Sequence, residues 1–168
     1  MERKNLWAPW RIGYIRGITD KSGDCFLCRD AASPENDDAN LVVWRSTLSF
    51  VVLNCFPYNN GHLLVAPIRH ISDLSEASDE EMFDLMRRVR DTQRLLSLAL
   101  SPHGFNVGIN VGRCAGAGLP GHLHIHVVPR WNGDTNFMSV CSDAKLISQS
   151  LAELLEQLKE TAKEDGLP

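Results

Sequence analysis

Residues 121–128 read GHLHIHVV, in which histidine and apolar residues alternate. The three histidines are His122, His124 and His126, and they make up half of the six histidines in the chain. Successive side chains of a β-strand point to opposite faces of the sheet, so the alternation predicts a strand with an apolar face and a row of imidazoles. The chain must therefore fold into a sheet with one buried side and one side able to carry polar chemistry.

The flanking sequence predicts further strands. Stretches rich in Val, Leu, Trp and Phe predict antiparallel strands at residues 41–45, 48–53 and 62–67. The segment FNVGINV, at residues 105–111, alternates apolar side chains with Asn and Gly and predicts one more strand. The first three of these strands predict a meander, and together with the histidine segment they predict an antiparallel sheet.

Two main helices are expected beside this sheet. Ser78 and Glu81 form a capping-box pattern ahead of an amphipathic segment that ends near Leu100. A final amphipathic helix is marked by Ile147, Leu151, Leu154, Leu155 and Leu158. Strands, helix, strands and helix in this order are typical of an α+β domain.

The length and composition predict a single domain. The chain has 168 residues, of which 43% are hydrophobic and 23% are charged, and this is enough to close one core. We expect one domain over residues 1–168, with an N-terminal arm (1–24), a core (25–131) and a C-terminal connection and helix (132–168).

Charge and hydropathy exclude two kinds of partner. The formal net charge is −4, whereas binding of nucleic acid by bulk electrostatics needs a basic surface. The apolar runs LSFVVLN and HLLVAP are too short to span a bilayer, and the segment MERKNLWAPW lacks the hydrophobic region of a signal peptide. We therefore expect a cytoplasmic protein that binds neither nucleic acid nor membranes.

The row of imidazoles suits attack on phosphorus. A neutral imidazole is a good nucleophile near pH 7, since its unperturbed pKa is about 6.5. His124, flanked on both sides, is the natural nucleophile, and His126 is placed to bind charge that builds on phosphoryl oxygens. Asn110 and the backbone N–H groups of residues 112–121 are further candidate donors. A polar strand face without chemistry and a metal site are the alternatives.

The cysteines give a second signal. The chain has five, with one close pair, Cys25 and Cys28, in CFLC. An odd number in a reducing compartment favours a metal or redox role over a disulfide framework. The pair alone fits a redox pair, half of a zinc site or chance, so a thiol oxidoreductase is one hypothesis, although no thioredoxin-like βαβ pattern surrounds it.

The motifs resemble those of a known family. HLHIHVV resembles the histidine-triad (HIT) signature, and NNGHLLVAPIRH is similar to the strand that precedes it in that family. The resemblance covers roughly residues 24–131, and the segments PRWNGDTNF and LWAPWR are similar to a bacterial branch that includes diadenosine tetraphosphate phosphorylases. It implies a HIT-like fold and a homodimer.

The resemblance also implies roles for single residues. His124 would form a covalent nucleotidyl-imidazole intermediate, with His122 and His126 beside it, and His62 would be a further active-site histidine. Asn54 would contact the ribose hydroxyls, and Asn110 would reach the phosphates or the nucleophile. Taken without the family, His62 fits a histidine satisfied within a half-buried strand.

One segment departs from the family pattern. Many relatives carry a Gln four residues before the first triad histidine, where this chain has Gly118, followed by Leu119, Pro120 and Gly121. Phosphate would then be bound at Gly118 by backbone amides of a glycine-rich turn.

Zinc-bearing relatives combine such a CxxC with two histidines, which match His70 and His122 here. Cys25, Cys28, His70 and His122 would then form a closed structural zinc site. His122 would in that case anchor the strand that presents His124 rather than bind phosphate. No organic cofactor is implied.

The function expected is nucleotidyl transfer from a purine nucleoside polyphosphate or dinucleoside polyphosphate through the covalent histidine intermediate. Water as acceptor would give a hydrolase, and inorganic phosphate would give a phosphorylase. The alternatives are an AMP-phosphoramidate hydrolase and a nucleotide-binding module without catalysis.

Overall fold

The computed structural model describes residues 25–134 and 147–167. Predictions for the N-terminal arm and for residues 135–146 lie outside the described residues. One sheet contains five strands: β1 (Val42–Arg45), β2 (Ser49–Leu53), β3 (Leu63–Pro67), β4 (Gly104–Ile109) and β5 (Ile125–Arg130). They lie in the order β1-β2-β3-β5-β4, and each neighbouring pair is antiparallel, which confirms the predicted sheet and the α+β class.

The described part of the chain contains three α-helices: α1 (Phe26–Ala32), α2 (Asp79–Leu100) and α3 (Leu151–Glu164). The long helices α2 and α3 are the two that the sequence predicts, and each begins with a capping box of a serine and a glutamate. Helix α3 starts at Leu151 rather than at Ile147, because Ser150 caps it. None of the helices in these ranges is long and apolar enough to cross a bilayer.

Helix α1 is not predicted by the sequence. It has seven residues, too few for an apolar repeat to reveal a buried side. Its N-cap is Cys25, whose Sγ accepts a hydrogen bond from the backbone N–H of Cys28 at 3.4 Å. The CxxC spacing therefore marks the first turn of a helix as well as a pair of thiols.

The two faces of the sheet have different roles. One face packs against α2 and α3 and forms the main core, which includes Val65 and Val127. The other, which we call the histidine face, carries Leu64 and His126 opposite each other on β3 and β5. Leu27 of α1 packs on this face, in a smaller apolar cluster with residues of β1, β2 and β3. The histidine face is thus part core and part functional surface.

The histidine segment is only partly a strand. β5 begins at Ile125, so His122 and His124 precede it, and the predicted strand over all three histidines is too long. Pairing with both β3 and β4 stops at Ile125, and the backbone N–H of Leu123 donates to the carbonyl of Ile71 at 2.6 Å instead. The side chains of this segment still alternate between the two faces of the sheet. Leu123 is buried in the main core, and the histidines point the other way.

Glu81 ties the start of α2 to the end of β3. It is 6% exposed, and its carboxylate accepts hydrogen bonds from Arg69 Nε at 2.9 Å, Arg69 Nη2 at 2.7 Å and the Ser78 N–H at 2.8 Å. The hydrogen bonds from Arg69, and to a smaller extent the one from the Ser78 N–H, lower the pKa of Glu81 to about 2. The ionised form of Glu81 therefore stabilises the fold.

We expect Glu81→Gln to lower the free energy of unfolding by about 1 kcal/mol at pH 7, because Gln keeps the cap but loses the charge beside the partly exposed Arg69. The folded pKa lies below the ordinary value of 4.5. The difference from wild type is thus present above that value and disappears as the pH falls towards 2. Urea unfolding at several pH values measures it, with the exposed Glu160→Gln as control; equal losses in both variants would contradict the role of Arg69.

Candidate active site and metal centre

His124 is fixed in one tautomer. Its Nδ1 lies 2.8 Å from the backbone carbonyl oxygen of His122. Since a carbonyl oxygen can only accept, Nδ1 carries the proton and Nε2 has the free lone pair. The residue is 6% exposed, and burial lowers the pKa of the imidazole because the charged form would lose hydration. The ring is therefore neutral near pH 7, as a nitrogen nucleophile requires.

His62 and His126 form a hydrogen-bonded chain. The backbone N–H of Tyr58 donates to His62 Nδ1 at 3.0 Å, so the proton of His62 is on Nε2. That Nε2 lies 3.0 Å from His126 Nδ1 and donates to it, which leaves the proton of His126 on its own Nε2. The chain of bonds thus turns His126 into an N–H donor, the form suited to bind a phosphoryl oxygen.

Asn110 lies at the open end of this chain. Its side-chain amide nitrogen is 3.4 Å from His126 Nε2. An amide can turn over to present its oxygen instead, which would accept the N–H of His126. The structure thus brings together His62, His124, His126 and Asn110, which are separated in sequence.

Asn54 supports the loop before β3. Its side-chain oxygen accepts from the backbone N–H of Phe56 at 2.9 Å, and its Nδ2 lies 3.3 Å from His62 Nδ1. These contacts keep the amide beside His62. A contact with ribose stays a prediction, as does phosphate binding at Gly118, which lies in the loop between β4 and β5.

Tyr58 is a residue of the site that the sequence did not indicate. Its ring stacks on the His62 ring, with centroids 4.7 Å apart, and on the His126 ring at 5.7 Å. The aromatic residue four positions before His62 was the available signal, within a segment that otherwise indicates only a turn.

A second cluster lies next to these histidines. One ligand atom from each of four side chains lies within 4.8 Å of the other three; the residues are Cys25, Cys28, His70 and His122. Cys28 Sγ is 3.0 Å from His70 Nδ1, and Cys25 Sγ is 3.2 Å from His122 Nδ1. The structure therefore brings together the four residues that the family resemblance implies as metal ligands.

The donor chemistry of this cluster fits a metal ion. His122 Nε2 donates to the backbone carbonyl of Pro67 at 2.9 Å, which directs the lone pair of Nδ1 towards the sulfurs. Burial, and to a smaller extent the hydrogen bond with the Cys25 side chain, raises the pKa of the Cys28 thiol to about 11. A cation would offset the cost of ionising both thiols, and two sulfurs with two imidazoles are a preferred set for Zn²⁺.

His122 connects the two clusters. Its side chain is 1% exposed and turned towards the cysteines, while its backbone carbonyl holds His124 Nδ1. The side chain is therefore not positioned as a phosphate donor. His122 therefore acts as a positioning residue. Contacts that fix its ring also fix its backbone carbonyl, which determines the tautomer of His124.

Fold and site together define a histidine-triad protein. The sequence profile described as the HIT domain matches residues 35–133, which is more than half of the chain. The chain belongs to the HIT family. The expected fold is thereby confirmed, and relatives named AP-4-A phosphorylase and bis(5'-nucleosyl)-tetraphosphatase identify the chain as an enzyme of this family.

The relatives are consistent with this assignment. The chain is 40% identical over 159 residues to AP-4-A phosphorylase of Mycobacterium tuberculosis (strain ATCC 25618 / H37Rv), covering 89% of this chain and 80% of that protein. It is 36% identical over 93 residues to asymmetrical bis(5'-nucleosyl)-tetraphosphatase of Schizosaccharomyces pombe, covering 55% of this chain and 50% of that protein.

A solved structure is also similar. The zinc-bound histidine triad family protein from Mycobacterium smegmatis superposes with a TM-score of 0.68 at 25% identity, covering 85% of this chain and 96% of that one. That protein combines the same fold with bound zinc.

Proposed function

We propose that the protein transfers a nucleotidyl group from a dinucleoside polyphosphate of the diadenosine tetraphosphate type through a covalent intermediate on His124. The observation that carries this proposal is the hydrogen bond of His124 Nδ1 to the carbonyl of His122, which leaves Nε2 unprotonated. His126 Nε2–H and the amide of Asn110 are the donors for the phosphoryl oxygens.

The reaction has two displacements. In the first, His124 Nε2 forms a bond to the α-phosphorus, and the bond from phosphorus to the bridging oxygen breaks. The leaving nucleoside polyphosphate keeps that electron pair and departs as a stable anion, so it needs no strong general acid. In the second, an oxygen of the acceptor attacks the same phosphorus, the N–P bond breaks, and Nε2 regains its lone pair.

We propose inorganic phosphate as the acceptor in the second displacement. The relative named a phosphorylase is similar over 89% of this chain, and the relative named a tetraphosphatase over 55%. With phosphate, the nucleotidyl group leaves as a nucleoside diphosphate. With water, it would leave as the monophosphate, and the acceptor would lose a proton.

We also propose that Zn²⁺ occupies the cluster of two cysteines and two histidines. The support is the donor set and the zinc-bound relative. The bound ion would complete a closed structural site and take no part in the reaction. A homodimer and a cytoplasmic location, which the resemblance and the sequence imply, complete the proposal.

Product analysis tests this function. Diadenosine tetraphosphate is incubated with the purified protein, with and without inorganic phosphate, and the nucleotides are separated by chromatography. We expect ADP and ATP with phosphate, and an increase in intact protein mass equal to one AMP group when phosphate is omitted. If AMP and ATP form at equal rates with and without phosphate, the protein is a hydrolase. Faster cleavage of an AMP-phosphoramidate than of diadenosine tetraphosphate would overturn the proposed substrate.

A further inference from the structure

A cavity opens on the histidine face beside the triad. It has a volume of about 180 Å³ and is lined by Tyr58, Asn59, Asn106, Val128 and Arg130. A cavity of about 150 Å³ is large enough for a six-membered ring. The proposed reaction does not use this space, although Tyr58 belongs both to the cavity and to the stack on the catalytic histidines.

The cavity is connected to the site of chemistry along β5. Alternate residues of a strand share a face, so His126, Val128 and Arg130 follow one another on the histidine face. Opposite His126 on β4 is Gly108, where an added Cβ would meet no atom within 4 Å. The missing side chain leaves an open passage from His126 towards Asn106, two residues further along β4.

The lining of the cavity favours an uncharged aromatic ring over a phosphate group. Arg130 donates from Nε and Nη2 to both carboxylate oxygens of Asp134, at 2.6 and 2.9 Å, so its charge is balanced. Its Nη1 donates to the Asn106 side-chain oxygen at 2.7 Å, which leaves the amide N–H groups of Asn106 as donors towards a ring nitrogen. Tyr58, which is 42% exposed, provides an aromatic ring for stacking.

We propose that this cavity receives the base of the second nucleoside of the substrate, the one that departs with the leaving phosphates. The inference rests on the proposed function, because in-line displacement sends the leaving group to the side of phosphorus opposite His124. On the histidine face, a leaving group that extends away from His124 would pass His126 and reach the cavity. The site thereby selects dinucleoside polyphosphates over mononucleotides with the same phosphate chain.

Binding by a protein that cannot turn over tests this selection. In the His124→Ala background, titration calorimetry gives dissociation constants for diadenosine tetraphosphate and adenosine 5'-tetraphosphate, which differ by one nucleoside. We expect the dinucleotide to bind roughly ten-fold more tightly, as stacking of one base on an aromatic ring would give. Adding Asn106→Phe, which fills the cavity, or Tyr58→Leu, which removes the ring, should reduce the ratio at least five-fold.

The matched control is Asn36→Phe, the same substitution at an exposed position that precedes β1, at the opposite edge of the sheet. It should leave the ratio unchanged. An unchanged ratio in both cavity variants would overturn the inference, and so would equal weakening of both nucleotides, which would place terminal phosphates in the cavity.

Different results would overturn the proposed reaction and the proposed site for the second nucleoside. If no adenylylated protein forms but the ratio responds to the cavity variants, the reaction is wrong and the cavity still binds the second nucleoside. If the adduct forms and the ratio does not respond, only the inference about the cavity is wrong. If neither nucleotide binds, both are wrong.

Discussion

Replacement of His124 by Ala is expected to lower the turnover of diadenosine tetraphosphate by roughly three orders of magnitude or more, because in the proposed reaction His124 Nε2 forms the bond to phosphorus. The same variant should gain no mass on incubation with the substrate. Steady-state rates and intact-mass spectrometry measure the two effects. Since nucleophile loss removes the chemical step rather than binding, the substrate should still bind.

His103→Ala is the natural control for this experiment. His103 is the one histidine of the chain outside the two clusters, and its Nδ1 accepts a hydrogen bond from the Asn132 N–H at 2.9 Å. It should keep activity close to that of wild type. Near wild-type turnover in the His124→Ala protein, with its helix and sheet signals intact by circular dichroism, would show that another group attacks phosphorus.

Replacement of Cys28 by Ser is expected to have the second largest effect. We expect the wild-type protein to contain about one zinc ion per chain. The variant should lose most of this zinc and should melt at a lower temperature, because metal binding contributes directly to folding. Activity should fall at least ten-fold, since the ion would no longer hold His122, whose carbonyl fixes the tautomer of His124. Metal analysis, thermal unfolding and rates measure the three effects.

Cys55→Ser provides the matched control, because Cys55 is an exposed free thiol outside the metal cluster. It should retain zinc, melting temperature and activity. Protein purified without chelators that contains no zinc would refute the metal proposal. A Cys28→Ser protein that loses zinc but keeps full activity would separate the metal from the positioning of His124.

The elements of the fold follow closely from local patterns. The capping boxes at Ser78 and Ser150 and the apolar repeats behind them place α2 and α3, since each signal lies within a few residues of the helix that it starts. The start of β5 at Ile125 could not be predicted in the same way. It depends on where pairing with β3 and β4 stops, which is a property of three strands together.

The active-site histidines could be predicted from the sequence more fully than the metal ligands. The alternation of histidines places His124 and His126 on one face from spacing alone, because successive side chains of an extended chain point to opposite faces. The bond between His62 and His126 depends on the register of β3 against β5, which pairs Leu64 with His126 and brings the two rings together across the strands. The metal ligands could be proposed only by family resemblance, since Cys28 and His122 are 94 residues apart.

The separation of Cys28 and His122 has a consequence for the lifetime of the protein. An ion bound between them would close a loop of 94 residues and restrict the unfolded chain far more than a local contact could. The same ion would hold the His122 ring, whose backbone carbonyl positions His124, so release of the ion would expose the backbone to proteases as it lowers activity. Copies without the ion would then be degraded first, and the copies that persist would be the more active ones.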